Sequence, residues 1–314
     1  MKKFLFEIVL LFILVTITIN YINNLDKPPR VKQILTIKEK LDIINLGTSH
    51  GSDFSYSGLS IHGASFNRAG NTLYYDLQNY KFIKNHLSDG AIILLPISYF
   101  SFGLDENRTD RGVDNPFVNE FYEYLPRKSI YSYSEKRAIS LKINRIQKNF
   151  MNLFPKEKKK KKKKKKKSPL DTLSHEQMLK EFAIKRVVHH KKIGTYSNPD
   201  KNINYLKTLI DDAKQSGYHP ILITTPFYKE YVEEFGADWL SKNYYQYLSL
   251  ISKQYNIPYL DYGNENSISS KPELFKNSDH LNKKGISKFN VILFDDLVNL
   301  GMISEDDILQ KNNK

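Results

Sequence analysis

Leu41-Asp42-Ile43-Ile44-Asn45-Leu46-Gly47-Thr48-Ser49-His50-Gly51 is the stretch on which the fold of this chain turns. A short, mostly apolar run stopped by a glycine reads as a strand buried on both faces, as in a parallel sheet. The strand feeds a tight turn that has a glycine at each end and carries a serine. Open α/β sheets form their ligand crevice at the carboxyl ends of the strands, so Ser49 is expected at that crevice. Gly47 permits the sharp reversal, and the Ser49 N–H is then placed to face a developing oxyanion. A serine after a strand is also a common helix N-cap, so this stretch alone does not separate a nucleophile from a cap.

Downstream, apolar runs alternate with amphipathic ones. Residues 72–87 read as a helix, with Leu73, Leu77, Tyr80 and Ile83 at helix-like spacing, and 91–95 as a second buried strand stopped by Pro96. A helix at 203–216 has Gly217 at its C-cap, and a third strand at 220–225 is closed by Pro226. A helix at 239–255, a fourth strand at 258–261 and a last helix at 284–300 complete the pattern. Such alternation predicts an α/β fold, a parallel sheet with helices on both faces. The weakly patterned stretch 101–201 is read as an insertion between strands of one domain covering 41–314.

Upstream lies FLFEIVLLFILVTITINYI at 4–22, against the about 20 residues that a bilayer core requires. Residues 1–24 are therefore expected to anchor the chain in a membrane, and the basic, proline-containing 25–40 to form a linker. Lys2 and Lys3 favour a cytoplasmic N-terminus, with the body of the chain outside. A cleaved signal peptide would need small residues at a cleavage site, and 18–23 offers none.

The absence of cysteine excludes thiol nucleophiles, disulfides and cysteine-ligated zinc. The formal charge of +14 invites a nucleic-acid reading, but an unbroken run of ten lysines at 158–167 leaves only +4 elsewhere. Such a block repels itself and cannot bury apolar surface, so it is expected to be a disordered, solvated loop. An anionic membrane surface or polymer is the alternative partner for it. Basic and aromatic residues do not interleave near the run as in a single-strand groove, so nucleic acid is not expected. No HExxH, Walker or Rossmann glycine pattern occurs, and no metal or other cofactor is implied.

A second chemical signal stands just before the last helix: Asn277-Ser278-Asp279-His280-Leu281-Asn282-Lys283-Lys284-Gly285. Serine needs a base to become nucleophilic, and histidine needs a carboxylate to fix its tautomer and stabilise its imidazolium. The competing reading makes Asp279 a helix cap and His280 a surface residue, unrelated to Ser49.

Taken together, the glycine-x-serine after the first strand and the Asp-His with Leu-Asn and a following glycine resemble the SGNH (GDSL-like) hydrolase and acyltransferase superfamily. The likeness is nearest to membrane-anchored envelope members related to alginate O-acetylation proteins and the lipoteichoic acid D-alanylation protein. It covers 41–102 and 218–300. The resemblance implies a flavodoxin-like three-layer sandwich, with Ser49 as nucleophile, His280 as general base, and Gly70 and Asn71 as oxyanion donors. Three departures stand out: Thr48 replaces an aspartate, Pro96-Ile97-Ser98-Tyr99 lacks the family's Gly-x-Asn-Asp block, and Asn277 occupies the usual acid position, leaving Asp279 as the nearby carboxylate.

His50 is expected to line the substrate pocket, and the adjacent His189 and His190 to lie on the surface. Phe117, Phe121, Tyr122, Tyr124, Tyr131 and Tyr133 could form a sugar-stacking face or a core. The expected activity is a serine esterase or O-acyltransferase acting on an acylated cell-envelope glycan, with a membrane-bound acyl-transfer protein as a candidate partner. The alternative is a catalytically weak or inactive glycan-binding scaffold of the same fold.

Overall fold

A computed structural model describes residues 2–25, 33–34, 36–104, 121–122, 124–130, 133–153 and 173–308. The lysine run, Phe117 and Tyr131 lie outside the described residues. Two compact units are formed, Met1–Thr36 with Val118–Lys166, and Ile37–Phe117 with Lys167–Lys314. In chain order the main elements are α1 (Lys2–Leu25), β1 (Leu41–Asn45), β2 (Gly63–Ser65), α2 (Leu73–Ile83), β3 (Leu87–Pro96), α3 (Glu135–Leu153), α4 (His175–Ile193), α5 (Pro199–Gln215), β4 (His219–Thr224), α6 (Lys229–Phe235), α7 (Gln246–Tyr255), β5 (Tyr259–Asp261), β6 (Phe275–Asn277), β7 (His280–Leu281) and α8 (Lys283–Asn299).

The first unit holds α1 and α3. Within α1, Phe4–Tyr21 is long and apolar enough to cross a membrane, and none of it is buried. The aromatic residues read as a sugar face or core pack pairwise in this unit, Phe121 on Tyr124 and Tyr122 on Tyr133, with ring centroids 6.0 and 5.3 Å apart.

The second unit is an α/β sandwich. Its five strands are all parallel, in the order β2-β1-β3-β4-β5. Side chains alternate across a strand, so Ile43, Ile92, Leu94, Ile221 and Ile223 share one face with Phe289, Leu293, Phe294 and Leu297 of α8. Ile44, Ile93 and Leu222 point the other way and are fully buried. On that side α5 packs on β4 and α2, and α7 packs on β5 and α5. Burial on both faces is why these strands read as unbroken apolar runs.

Some boundaries differ from expectation. β3 starts at Leu87 rather than at residue 91, because Ser88 Oγ donates to Asp42 Oδ1 at 2.6 Å and extends the pairing. The polar Ser88-Asp89-Gly90 segment hid this extension: Gly90 has φ +73° and the register shifts there. The helix expected at 239–255 contains a π-helical turn, Ser241–Tyr245, before α7. The stretch 101–201 divides between the two units, α3 in the first and α4 in the second. A capping box at Ser174 and Gln177 starts α4.

Candidate active site

The Ser49 turn is held from three sides. Asn45, the last residue of β1, donates from Nδ2 to Gly51 O at 3.0 Å and accepts from Tyr56 Oη at 2.9 Å. Asn67 Nδ2 donates to Thr48 O at 3.2 Å. Gly47 has φ +95°, and its N–H donates to Asp76 Oδ1 at 2.8 Å. A Cβ on Gly47 would lie 2.7 Å from both Pro96 Cγ and Pro96 O, so the crossing of β1 past β3 requires glycine. Ser49 then opens a 3-10 turn, Ser49–Asp53, and is half-buried. Asn290 of α8 closes the far end, donating to Asp53 O at 2.9 Å and accepting from Ser55 N at 2.8 Å.

His280 reaches the same sheet edge on an antiparallel hairpin, β6–β7, which the sequence reading missed because its strands are only three and two residues long. β7 packs against the Ser49–Asp53 turn, so the two distant motifs do meet. No hydrogen bond joins Ser49 to His280 among the described residues. The helix cap is Asn282, which accepts from Lys284 N and Gly285 N, so Asp279 is free of that duty.

His280 Nδ1 is hydrogen-bonded to Asn277 Oδ1 at 3.1 Å and lies 3.3 Å from Asp279 Oδ1, an ion-pair contact. An amide oxygen can only accept, so the asparagine fixes the Nδ1–H tautomer and leaves Nε2 as the basic nitrogen. Asp279 supplies the charge. Burial pushes its carboxyl up, but hydrogen bonding and charge from His280 and His50 outweigh this and hold it well below the usual carboxylate range.

Asp279 is a hub for three cationic or potentially cationic groups. Besides His280 it meets His50 Nε2 at 3.5 Å and Arg186 Nε at 3.2 Å. His50, expected to line the substrate pocket, is 1% exposed. Burial keeps the ring neutral by lowering its pKa. One consistent chain of donors runs from the Thr48 hydroxyl to Ser98 Oγ, and from the Ser98 hydroxyl to His50 Nδ1, each at 2.7 Å. The other ring nitrogen, His50 Nε2, stands 3.5 Å from Asp279 Oδ2 without a hydrogen bond among the described residues. Thr48 and Ser98 thus belong to one buried network.

Sequence reasoning missed Arg186, Asp53 and the burial of His190. Arg186 and His190 sit four residues apart on α4, on the side that buries Leu179, Ala183, Val187 and Ile193. That 3–4 spacing was readable but masked by the surrounding lysines. Only His189 is exposed; His190 packs on Phe100, ring centroids 4.3 Å apart, and bonds Tyr231 Oη at 2.6 Å. Asp53 is buried with Oδ2 unpartnered, and burial, then the Asp279 charge, push its carboxyl well above the usual range.

Gly70, expected as an oxyanion donor, is half-buried with φ +75°. Asn71 does not offer its amide: Nδ2 is engaged by Asp76 Oδ1 at 2.5 Å in a fully buried setting. The same carboxylate holds Gly47 N, so Asn71 helps fix the turn. Ligand atoms of His50, Asp279 and His280 lie within 4.8 Å of one another, a spacing open to a metal ion. The Arg186 guanidinium already answers the charge of that carboxylate.

Burial lowers the His190 pKa to about 3. Between that value and the ordinary histidine range the unfolded chain binds a proton that the folded protein refuses, so stability falls as pH drops below about 6.5. At pH 5 this one group should account for roughly 2 kcal/mol. His50 acts in the same direction, and Asp53, raised instead, opposes it. His190→Gln should therefore shrink the difference in urea midpoint between pH 7 and pH 5; an unchanged difference would refute the assignment.

No protein-family model matches the sequence, and no curated protein matches it. Among solved structures the chain is similar to a GDSL-like lipase from Bacteroides thetaiotaomicron, at 10% identity over 90% of this chain and 95% of that one, with a TM-score of 0.39. It is also similar to a lipase/acylhydrolase from Enterococcus faecalis, at 12% identity over 83% and 97%, with a TM-score of 0.37.

Proposed function

We propose that the chain is a membrane-anchored serine esterase or O-acyltransferase of SGNH type, working through an acyl-enzyme on an acylated envelope glycan. The observation that carries this reading is the packing of the His280 hairpin on the Ser49 turn, with His280 Nδ1 hydrogen-bonded to Asn277 and Asp279 beside it. Ser49 Oγ attacks the acyl carbonyl as His280 Nε2 takes its proton. The tetrahedral oxyanion is met by the N–H groups of Ser49 and Gly70. His280 returns the proton to the leaving alcohol as the old ester bond breaks. Water or a sugar hydroxyl then gives its proton to His280 and attacks the acyl-enzyme, and His280 passes that proton to Ser49 Oγ as the acyl–serine bond breaks. α1 would hold the unit at the membrane with its N-terminus cytoplasmic, beside envelope glycan and any membrane-bound acyl donor protein.

A non-catalytic glycan-binding role is the second reading, favoured by the engagement of the Asn71 amide with Asp76. Fluorophosphonate treatment of the detergent-solubilised full chain separates the two. We expect covalent labelling at Ser49, abolished in Ser49→Ala and slowed at least ~100-fold in His280→Ala, in line with loss of a general base. A folded chain that takes no label sinks the enzymatic reading.

A further inference from the structure

α4 comes from the weakly patterned stretch 101–201, outside both motifs, yet it delivers a cation to the buried carboxylate of the second one. Its apolar stripe, Leu179, Ala183, Val187 and Ile193, is buried and sets which way the helix faces. Arg186 stands three residues after Ala183 and four before the buried His190, at the edge of that stripe. The helix is docked along its length. His175 Nε2 lies 3.1 Å from both Pro272 O and Phe275 O, at the base of the His280 hairpin. Lys180 pairs with Glu230 of α6 at 3.4 Å, and His190 Nδ1 bonds Tyr231 Oη at 2.6 Å. α4 thus packs on both α6 and β6, and Arg186 arrives from a fixed main chain.

Asp279 needs what Arg186 brings. Its side chain is 1% exposed, and Oδ1 makes no hydrogen bond among the described residues. Two ion-pair contacts hold that oxygen, His280 Nδ1 at 3.3 Å and Arg186 Nε at 3.2 Å. A general base is neutral until it takes a proton, and burial keeps His50 neutral. In the resting site Arg186 is therefore the one permanent cation touching this carboxylate among the described residues. A buried carboxylate without a counter-charge protonates or turns toward water. Either change would remove the charge that stabilises the His280 imidazolium as it forms. The guanidinium also repels that imidazolium, but from farther away and through solvent, since the Arg186 side chain is 40% exposed. The contact with Asp279 outweighs the repulsion.

We propose that Arg186 is a positioning residue for the reaction at Ser49, fixing the Asp279 carboxylate with Oδ1 toward His280 Nδ1. This rests on the serine reading given above. A guanidinium suits the task better than an ammonium, being planar and more weakly hydrated. The stretch 101–201 thereby supplies part of the support for the base.

The rate at which a fluorophosphonate labels Ser49 in the detergent-solubilised full chain tests this through a mutant cycle. Arg186→Ala should slow labelling by about tenfold or more, and Arg186→Lys by less. Arg186→Gln, which keeps most of the side chain without its charge, carries the same expectation should Arg186→Ala not fold. Ethylguanidinium can enter the partly exposed space left in Arg186→Ala and should restore the rate to within about threefold of the parent. In the Asp279→Asn background, loss of Arg186 should change the rate by less than about twofold, because no charge remains for the guanidinium to hold. A helix merely loosened by the substitution would be slow in both backgrounds and deaf to ethylguanidinium, and that result overturns the proposal. Equal, rescuable effects in both backgrounds put the guanidinium on the probe itself and overturn it too, as does unchanged or faster labelling of Arg186→Ala. A parent chain that takes no label sinks the serine reading and this proposal together, whereas a labelled parent indifferent to Arg186 sinks only the latter.

Discussion

Asp279→Asn is expected to slow phosphonylation of Ser49 by roughly 100- to 1,000-fold, less than the about 10,000-fold that loss of a triad carboxylate can cost. The reason lies in a division of labour at His280 Nδ1. In an ordinary triad one carboxylate both sets the tautomer and stabilises the imidazolium. Here Asn277 accepts the Nδ1–H at 3.1 Å and Asp279 stands at 3.3 Å with the charge. Removing the charge leaves the ring correctly oriented, so only the electrostatic share is lost. Asn277→Ala should cost less, about 10- to 100-fold, because the Asp279 oxygen can take over the proton. The double variant should approach the full triad loss, and its deviation from additivity measures the shared duty. Asp279→Asn also strands Arg186, whose side chain is 40% exposed and can turn to solvent. A stability loss of about 2 kcal/mol is expected, below the 3–5 kcal/mol typical of a fully buried pair. Activity within threefold of the parent chain would show that Asp279 is not electrically coupled to the base.

Gly103→Ala should unfold the second unit or destabilise it by more than about 4 kcal/mol. A Cβ there would stand 1.5 Å from Gly194 O and 2.1 Å from Gly194 C, both main-chain atoms. Neither segment has room to yield. Asn202 clamps the turn by donating to Phe102 O and Leu104 O at 2.7 and 2.8 Å, and Ser197 N donates to Gly103 O at 2.9 Å. Gly217→Ala is the matched control: φ is +78°, but nothing lies within 4 Å of the added atom. It should cost about 1–2 kcal/mol, the backbone term alone. Urea denaturation of both variants decides the matter, and equal midpoints would contradict the clash.

The sequence made the centre of the sheet legible and its margins obscure. β4, β5 and α8 fall within a residue or two of expectation, because doubly buried strands and a last helix carry strong periodic signals. β2 was missed: Gly63-Ala64-Ser65 is a three-residue edge strand with no apolar run to betray it. The residues of both motifs were legible because serine, histidine and aspartate are unusual at strand ends. What surrounds Asp279 was not. Arg186 comes from a helix more than ninety residues upstream, and only packing could bring it there. His50 looked like a pocket residue because its neighbour is a nucleophile candidate, whereas the short turn drives its ring inward onto Ser98. Asp53 gave no signal, since a lone acid in a loop is ordinarily solvated.

One of the two partners of β3 in the sheet is β4, with α3, α4 and α5 between them in the chain, and His280 follows only after β5. Pairing across so long a loop is entropically slow. During synthesis the Ser49 turn can form on β1, β2 and β3 well before the ribosome reaches residue 280. A nascent chain at that stage would expose the unpaired edge of β3, an aggregation-prone surface. The His280 hairpin is made after β5, so the two parts of the proposed site can meet only late in synthesis.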